Sequence, residues 1–231
     1  MPRKHRPKRV IVLGIGGNSM SIADAMDEIN LAAGGQPRYE LAGFLDDAPE
    51  LRETLFCGRP VLGSIRDATR FNDCYFINGI ASAGGFRNRA AIAIRSGVPP
   101  ERFETIVHPR AVIARNARVG RGCAIMANAV ICPAAIVADH VLILQNTTVN
   151  HDAVIEAHTA VSAGVTILGH VRIGQGAYIG GGVSIAPHVK IGAGALLGMG
   201  AVVIRDVAPG LVVAGNPAHE IKSTRQAGTQ K

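Results

Sequence analysis

The chain has 231 residues, enough for one large or two small domains, and its 48% hydrophobic content excludes an intrinsically disordered protein. Five basic residues stand within the first nine positions and account for most of the net charge of +7, so the remaining body is not a basic platform for nucleic acid. No stretch is apolar enough to predict a membrane span, and no signal-peptide pattern is present, so we expect a cytoplasmic protein.

The chain divides by composition into two domains between two short tails. We predict a basic tail over residues 1–8, an α/β domain over 9–105, a repeat domain over 106–222 and a second tail over 223–231. The cysteines have no CxxC spacing, which predicts buried thiols in a reducing compartment; they are Cys57, Cys74, Cys123 and Cys132.

The first domain alternates strand-like and helix-like segments. Apolar runs predict strands at Lys8–Gly14 and Tyr39–Leu45, and helical periodicity predicts a helix at Ser21–Ala33. Shorter strands and a second helix are indicated at Val61–Gly63, Cys74–Ile77 and Ala90–Ser96. This order predicts a small Rossmann-like βαβ unit with a parallel sheet, too short for a complete dinucleotide-binding domain.

A glycine-rich turn follows the first strand. Such a turn either only reverses the chain or presents backbone N–H groups to an anion, helped by the helix dipole. The dinucleotide fingerprint requires glycine where Ser19 stands, so a nucleotide or nucleotide-sugar site fits better. Acidic residues after the second strand either hydrogen-bond a ribose or base edge or form an ordinary turn. The substrate-binding candidates are Gly14, Gly16, Gly17, Asn18, Ser19, Asp46, Asp47, Asn78 and Gly79.

The second domain is a hexapeptide repeat. Residues 111–206 divide into sixteen hexads without an insertion, and the third position is Ile, Val or Leu in every one. This period predicts a triangular parallel β-helix with three hexads to a coil, with the third-position side chains stacked inside. Small first-position residues and the glycines are expected at tight corners. The hexads make a little over five coils, and the segment after Asp206 is expected to close the last one.

The order of motifs carries a family resemblance. GIGGNS, GFLDD, PVLG, HPRAVI, the hexads with His-Asp and VVAGNPA follow one another within residues 9–222. In this combination the chain resembles the bacterial sugar O- and N-acyltransferases with a left-handed β-helix, which include sialic acid O-acetyltransferases and N-acetyltransferases of UDP-4-amino sugars and perosamine. The family's typical turn reads GxGGHA, and here Asn18-Ser19 replaces His-Ala.

The resemblance implies different roles for the two domains. The N-terminal domain would hold a nucleotide sugar, and the β-helix would bind acetyl-CoA and perform the chemistry. The family is typically a homotrimer with active sites between subunits, and it serves polysaccharide biosynthesis. Acetyl-CoA would lie along the prism against residues of little bulk at the matching positions Gly169, Gly181 and Met199. Each of these also reads as a plain corner residue.

His151 and Asp152 match the catalytic pair of the family. They stand in TTVNHD and are followed by Ala-Val-Ile, as the resemblance requires. A neutral imidazole can take a proton as a sugar amine or hydroxyl attacks a thioester, and a carboxylate can fix the tautomer. Whether Asp152 reaches His151 is open at this stage. The family's second histidine falls at Ala160 here, so that contact is absent or supplied differently.

The other histidines admit a metal or a purely structural explanation. Residues three hexads apart stack, so one corner column joins His140 to His158 and another joins Asp152, His170 and His188. The zinc-binding carbonic anhydrases of this fold use two histidines two coils apart, a pair that is missing here. We therefore expect no metal, and polar corner residues explain the columns.

These observations predict an acetyl-CoA-dependent N-acetyltransferase of a nucleotide-linked 4-amino sugar, with His151 as general base and no covalent enzyme intermediate. The same base would serve a sugar O-acetyltransferase of the sialic acid type. A metal-dependent β-helix enzyme and a non-catalytic scaffold are the remaining alternatives. The sequence leaves the nucleotide, the sugar and the pathway open.

Overall fold

The computed structural model describes residues 6–223. It consists of a small α/β domain followed by a long β-helix. The helices are α1 Gly17–Ala32 and α2 Arg89–Arg95. The strands are β1 Lys8–Leu13, β2 Tyr39–Leu45, β3 Leu55–Phe56, β4 Arg59–Pro60, β5 Cys74–Asn78, β6 Ile106–Val107, β7 Val112–Ile113, β8 Arg118–Val119, β9 Ala124–Ile125, β10 Val130–Ile131, β11 Ile136–Val137, β12 Leu142–Ile143, β13 Thr148–Val149, β14 Val154–Ile155, β15 Ala160–Val161, β16 Thr166–Ile167, β17 Arg172–Ile173, β18 Tyr178–Ile179, β19 Ser184–Ile185, β20 Lys190–Ile191, β21 Leu196–Leu197, β22 Val202–Val203, β23 Leu211–Ala214 and β24 His219–Ser223.

The α/β domain is built on a parallel sheet in the order β2-β1-β5. Strand β1 is central, and Val10 to Leu13 within it are fully buried because helices and loops cover both faces of the sheet. The predicted strands at β1, β2 and β5 and the predicted helices are confirmed, with small shifts at their ends. The strand predicted at Val61–Gly63 is wrong. There the short hairpin β3–β4 is followed by a single bridge between Val61 and Phe44.

The second domain is a left-handed parallel β-helix with three faces. What we call the docked face contains β6, β9, β12, β15, β18, β21 and β23, with β24 antiparallel at its end. The second face contains β7, β10, β13, β16, β19 and β22, and the third face contains β8, β11, β14, β17 and β20. Strand β6 precedes the predicted hexads and β23 follows them, so the coiled region is longer than the repeat alone. The segment after Asp206 closes the last coil, as predicted.

The core of the β-helix takes two side chains from each hexad. From Ile125 onward the third-position aliphatics, such as Ile155 and Ile173, are buried, as predicted, whereas Ile113 and Val119 in the first two hexads are partly buried. The first-position residues, such as Val171 and Ala177, are also fully buried in this core instead of merely permitting tight corners. A small residue fits at the first position because its side chain shares the interior with the large aliphatic side chain at the third position. The repeat therefore packs an alternating large and small lining along the whole prism.

The corners explain the residues at the sixth hexad position. Every sixth position from Gly122 to Gly200 has a positive φ between 58° and 69°. Glycine, asparagine, aspartate and histidine are enriched in this left-handed region, because other L-residues are disfavoured there. The histidines at 140, 158, 170 and 188 all adopt it. Backbone geometry thus accounts for histidine at these corner positions.

The α/β domain packs on the docked face. Helix α1 buries Ile22 and Met26 in one cluster with Ala124 and Leu142, which point outward from the docked face. Full burial of a large aliphatic side chain such as Ile22 or Met26 stabilises the contact between the domains by about 1.5–3 kcal/mol relative to exposure. The second and third faces remain uncovered by the described residues of this chain.

The cysteines are all free thiols. Cys74 and Cys123 are buried, as predicted, and burial raises the pKa of the Cys123 thiol to about 12. Cys57 is exposed and Cys132 is half-buried, so the prediction of buried thiols is wrong for these two. Cys57 lies in the β3–β4 turn, where a left-handed φ of 49° turns it toward solvent. Between residues 6 and 223 no helix is long and apolar enough to cross a membrane.

Candidate active site

The His151–Asp152 pair stands on the corner between the second and third faces. Strand β13 ends at Val149 and β14 begins at Val154, so the pair occupies the turn between them. The left-handed φ of 58° at Asp152 brings its carboxylate beside the neighbouring ring. His151 Nδ1 lies 2.9 Å from Asp152 Oδ2. The contact that the sequence left open is therefore made.

This pairing fixes what the imidazole can do. An Nδ1–H that donates to the carboxylate leaves the Nε2 lone pair of the neutral ring available. The His151 side chain is 55% exposed, so a substrate can approach Nε2 from solvent. If the ring takes a proton, the Asp152 carboxylate stabilises the imidazolium. The geometry is that of an oriented general base.

A glycine one coil away makes room for the ring. A Cβ at Gly169 would lie 2.7 Å from both Cε1 and Nε2 of His151. The neighbouring His170 packs edge-to-face against His151 with ring centroids 5.1 Å apart, and His188 stacks on His170 at 4.7 Å. The ring of His151 is thus bounded by the next coil on one side and by solvent on the other.

We expect Gly169→Ala to lower kcat by about tenfold at saturating substrate, because the added methyl must displace the Nε2 edge of His151. Steady-state kinetics with thermal unfolding as a folding check would measure this effect. A folded variant with the wild-type kcat would show that the ring does not depend on this glycine.

The same corner holds a group of possible metal ligands. The ligating atoms of His151, Asp152 and His170 lie within 4.8 Å of one another, and all three residues are exposed. A pattern of two histidines two coils apart does not include this group, because His151 and Asp152 are adjacent and His170 lies one coil further along.

The second histidine column belongs to the domain interface. His140 and His158 stack with ring centroids 4.8 Å apart, on the corner between the third and docked faces. Burial lowers the pKa of His140 to about 4 and also lowers that of His158, so both rings are neutral at pH 7. Ala160, the position at which the resemblance implies a second histidine, is buried in the cluster shared by the α/β domain and the docked face. Neither histidine shares the corner of His151.

The glycine turn lies at the carboxyl end of β1, beside the carboxyl end of β5. This is the point where the strand order reverses, the usual place for ligands in open α/β sheets. Gly14 has a φ of +88° and its N–H donates to Leu45 O at 2.7 Å. Gly16 and Gly17 are exposed at the start of α1, and the backbone N–H groups of a first helical turn have no intrahelical partners. The turn can therefore bind an anion.

Several predicted substrate-binding residues support the turn from inside. Ser19 is buried and its Oγ donates to Gly14 O at 2.8 Å. A Cβ on Gly79 would meet that Oγ at 2.2 Å, so only glycine fits there. Asn78 is also buried, and its amide donates to Arg89 O at 3.2 Å and accepts from Ile80 N at 3.0 Å. In the structure, the side chains of Ser19 and Asn78 bond to the chain's own backbone.

The two predicted acidic residues behave differently. Asp46 accepts from Ile15 N at 2.8 Å, which places its carboxylate directly at the glycine turn. Asp47 accepts from Ile65 N at 3.0 Å and forms an ion pair with Arg95. Asp46 is thus next to the candidate ligand site, whereas Asp47 is occupied by contacts within its own domain.

The candidate residues do not converge within one chain. Gln145 donates to Ser21 Oγ at 3.5 Å, which places the start of α1 at the corner between the docked and second faces. Gly181 and the 83% exposed Met199 follow Gln145 on that corner. His151 and Gly169 stand on the next corner, across the whole second face. Within one chain, the candidate residues therefore lie on two separate corners of the prism.

Comparisons with known proteins agree with this architecture. A family model described as bacterial transferase hexapeptide (six repeats) matches residues 170–205. A search of curated protein sequences found no significant match.

Solved structures match nearly the whole chain. The acetyltransferase domain of PglB from Neisseria gonorrhoeae, solved with acetyl coenzyme A, is 28% identical with a TM-score of 0.78 and covers 94% of this chain and 100% of its own. PerB from Caulobacter crescentus, solved with CoA and GDP-perosamine, is 24% identical with a TM-score of 0.76 and covers 92% and 97%. WeeI from Acinetobacter baumannii is 24% identical with a TM-score of 0.71 and covers 93% and 100%. The chain thus has the two-domain fold of these bacterial proteins, and its second domain is a left-handed β-helix with hexapeptide repeats.

Proposed function

We propose that this protein is an acetyl-CoA-dependent acetyltransferase whose acceptor is a nucleotide-linked amino sugar. The observation that carries the proposal is the exposed His151 ring, held by Asp152 with Nε2 available. The PglB domain, solved with acetyl coenzyme A, supports the donor because it matches this chain over 94% of its length. The fold shared with PerB is consistent with a nucleotide-sugar acceptor.

The chemistry is a direct transfer. His151 Nε2 accepts a proton from the acceptor amine as its nitrogen attacks the thioester carbonyl carbon. The tetrahedral intermediate collapses by breaking the carbon–sulfur bond, and the proton passes to the departing thiolate of CoA. Asp152 stabilises the transient imidazolium through the 2.9 Å contact at Nδ1. The products are an amide and free CoA, with no acyl-enzyme.

The acceptor binds by its diphosphate at the glycine turn. The exposed N–H groups of Gly16 and Gly17 and the positive end of the α1 dipole provide the anion site. Asp46, hydrogen-bonded at the same turn, is next to where a ribose or base would lie. This arrangement leaves the amino sugar to extend away from the domain toward a catalytic corner.

The catalytic corner comes from a neighbouring copy in a homotrimer. Within the described residues nothing covers the second and third faces, which expose apolar side chains such as Val112 at 60% and Ile136 at 39%. Packing copies through these faces would bury them and would bring the Met199 corner of one chain beside the His151 corner of the next. Gly169 and Gly181 then lie on opposite walls of one cleft that takes acetyl-CoA.

Release of free thiol from acetyl-CoA tests the proposal. The wild-type protein would be assayed against UDP-, dTDP-, GDP- and CMP-linked sugars, with matched amino and hydroxyl members. We expect turnover with an amino sugar. Turnover confined to a hydroxyl acceptor would replace N-acetylation by O-acetylation with the same base, and the absence of both turnover and acetyl-CoA binding would contradict the assignment.

A further inference from the structure

A buried arginine joins the two domains. Arg89 is the first residue of α2 and is only 1% exposed. Its Nη1 donates to Ile80 O, and its Nη2 donates to His140 O at 2.7 Å. Its Nε has no hydrogen-bond partner, and no carboxylate in residues 6–223 forms an ion pair with it. Burial lowers the pKa of Arg89 to about 10, so it is charged at pH 7.

Such an arginine is costly to bury. A charged group without a counter-ion loses its hydration, and backbone carbonyls return only part of that free energy. An apolar side chain of similar volume would fill the space without this cost. The contribution specific to Arg89 is therefore the link between two carbonyls that belong to different domains.

One of these carbonyls belongs to the wall of the glycine turn. Ile80 follows β5, and its Cγ1 lies 2.1 Å from where a Cβ on Gly14 would be, so the two residues are in close contact. The Asn78 amide holds the same segment by donating to Arg89 O at 3.2 Å. Arg89 thus fixes the segment after β5 through both its side chain and its main chain, and this segment abuts the turn.

The other carbonyl belongs to the β-helix. His140 occupies a left-handed corner with a φ of 59° and stacks on His158 in the next coil. Phe103 packs edge-to-face on the His140 ring at 4.6 Å. The carbonyl that accepts from Arg89 is therefore on a packed corner of the β-helix. Through this hydrogen bond, the guanidinium connects the glycine turn to the β-helix.

We infer that Arg89 is a positioning residue that sets the glycine turn relative to the β-helix by holding Ile80. The inference rests on the proposed function, since in the trimer this setting decides where the bound acceptor meets His151 of the next copy. Loss of the guanidinium would loosen the acceptor site and leave the acetyl-CoA cleft intact. Lysine would restore one of the two links.

Kinetics of Arg89→Met and Arg89→Lys test the inference, with Arg102→Met as the matched control. Arg102 also donates to a backbone carbonyl, Cys74 O at 3.0 Å, but at the amino end of β5, far from the turn. We expect Arg89→Met to raise the KM for the nucleotide sugar about tenfold, with an unchanged KM for acetyl-CoA, and Arg89→Lys to fall between it and the wild type. Unchanged KM values, or an equal rise in both, would overturn the inference.

Amide hydrogen exchange separates this inference from the proposed function. Arg89→Met is expected to accelerate exchange at residues 14–19, and Arg102→Met is not. If the wild-type protein turns over no nucleotide sugar, the proposed function is contradicted. The hydrogen-exchange result then decides the role of Arg89 by itself. Unchanged exchange at the turn in folded Arg89→Lys and Arg89→Met would overturn the positioning role in either case.

Discussion

Replacing His151 by asparagine is expected to lower kcat by about 10² or more without changing the fold. The ring is exposed, hydrogen-bonds to Asp152 and packs only edge-to-face on His170 among the described rings, so its loss removes the base and little packing. The measurement is thiol release at saturating acetyl-CoA and acceptor, with thermal unfolding as a folding control. Asparagine keeps a polar amide near the position of Nδ1 but has no nitrogen that can accept the proton.

Asp152→Asn is the matched variant for this result. It retains the shape of the side chain and the left-handed turn, which asparagine tolerates, but removes the charge that stabilises the imidazolium. We expect a smaller loss of kcat than in His151→Asn. A His151→Asn protein that is folded and keeps wild-type kcat would eliminate His151 as the base while leaving the fold assignment intact.

Replacing Ile173 by alanine is expected to destabilise the protein by about 2–5 kcal/mol. Ile173 is fully buried at a third hexad position in β17, and neighbouring coils stack above and below it. Its removal leaves a cavity that the coils cannot close, because each coil is held by backbone hydrogen bonds on both sides. Denaturant unfolding at fixed protein concentration measures the change.

The adjacent Arg172 provides the control. It belongs to the same two-residue strand, points outward and is exposed. Arg172→Ala is expected to change the free energy of unfolding by less than about 0.5 kcal/mol. Similar losses from both substitutions would contradict the alternation of inward and outward side chains in the hexads.

The β-helix could be predicted because the same six-residue pattern recurs in every coil. A buried aliphatic recurs at the third position, and this repeat predicts one of the two side chains that each hexad places inside the prism. The burial of the first position was missed, since small residues such as Ala177 also suit a corner. The contact between His151 and Asp152 could not be predicted either, because it depends on a left-handed turn and not on spacing.

The α/β domain is less predictable from the sequence than the repeat. Its strands follow from apolar runs, whereas the hairpin β3–β4 is short and polar and left no such signal. Arg89 gave no indication of burial, since an arginine at the start of a helix ordinarily faces solvent and its partners here are backbone carbonyls. The distance between the glycine turn and His151 could not be predicted, because it depends on which corner of the prism each occupies. Their placement on different corners supports the proposal of a site shared between two chains.

Complementation between two inactive variants tests most directly whether the active site joins the glycine turn of one chain to His151 of another. One variant is His151→Asn, and the other is Gly17→Asp, which places a repelling carboxylate at the exposed anion site and leaves α1 undisturbed. Each is expected to be inactive alone. Co-expressed in equal amounts, they should recover about one quarter of wild-type activity, since about one site in four would combine two intact halves. Mixed trimers without activity would contradict the shared site, because sites contained within one chain would all carry a defect.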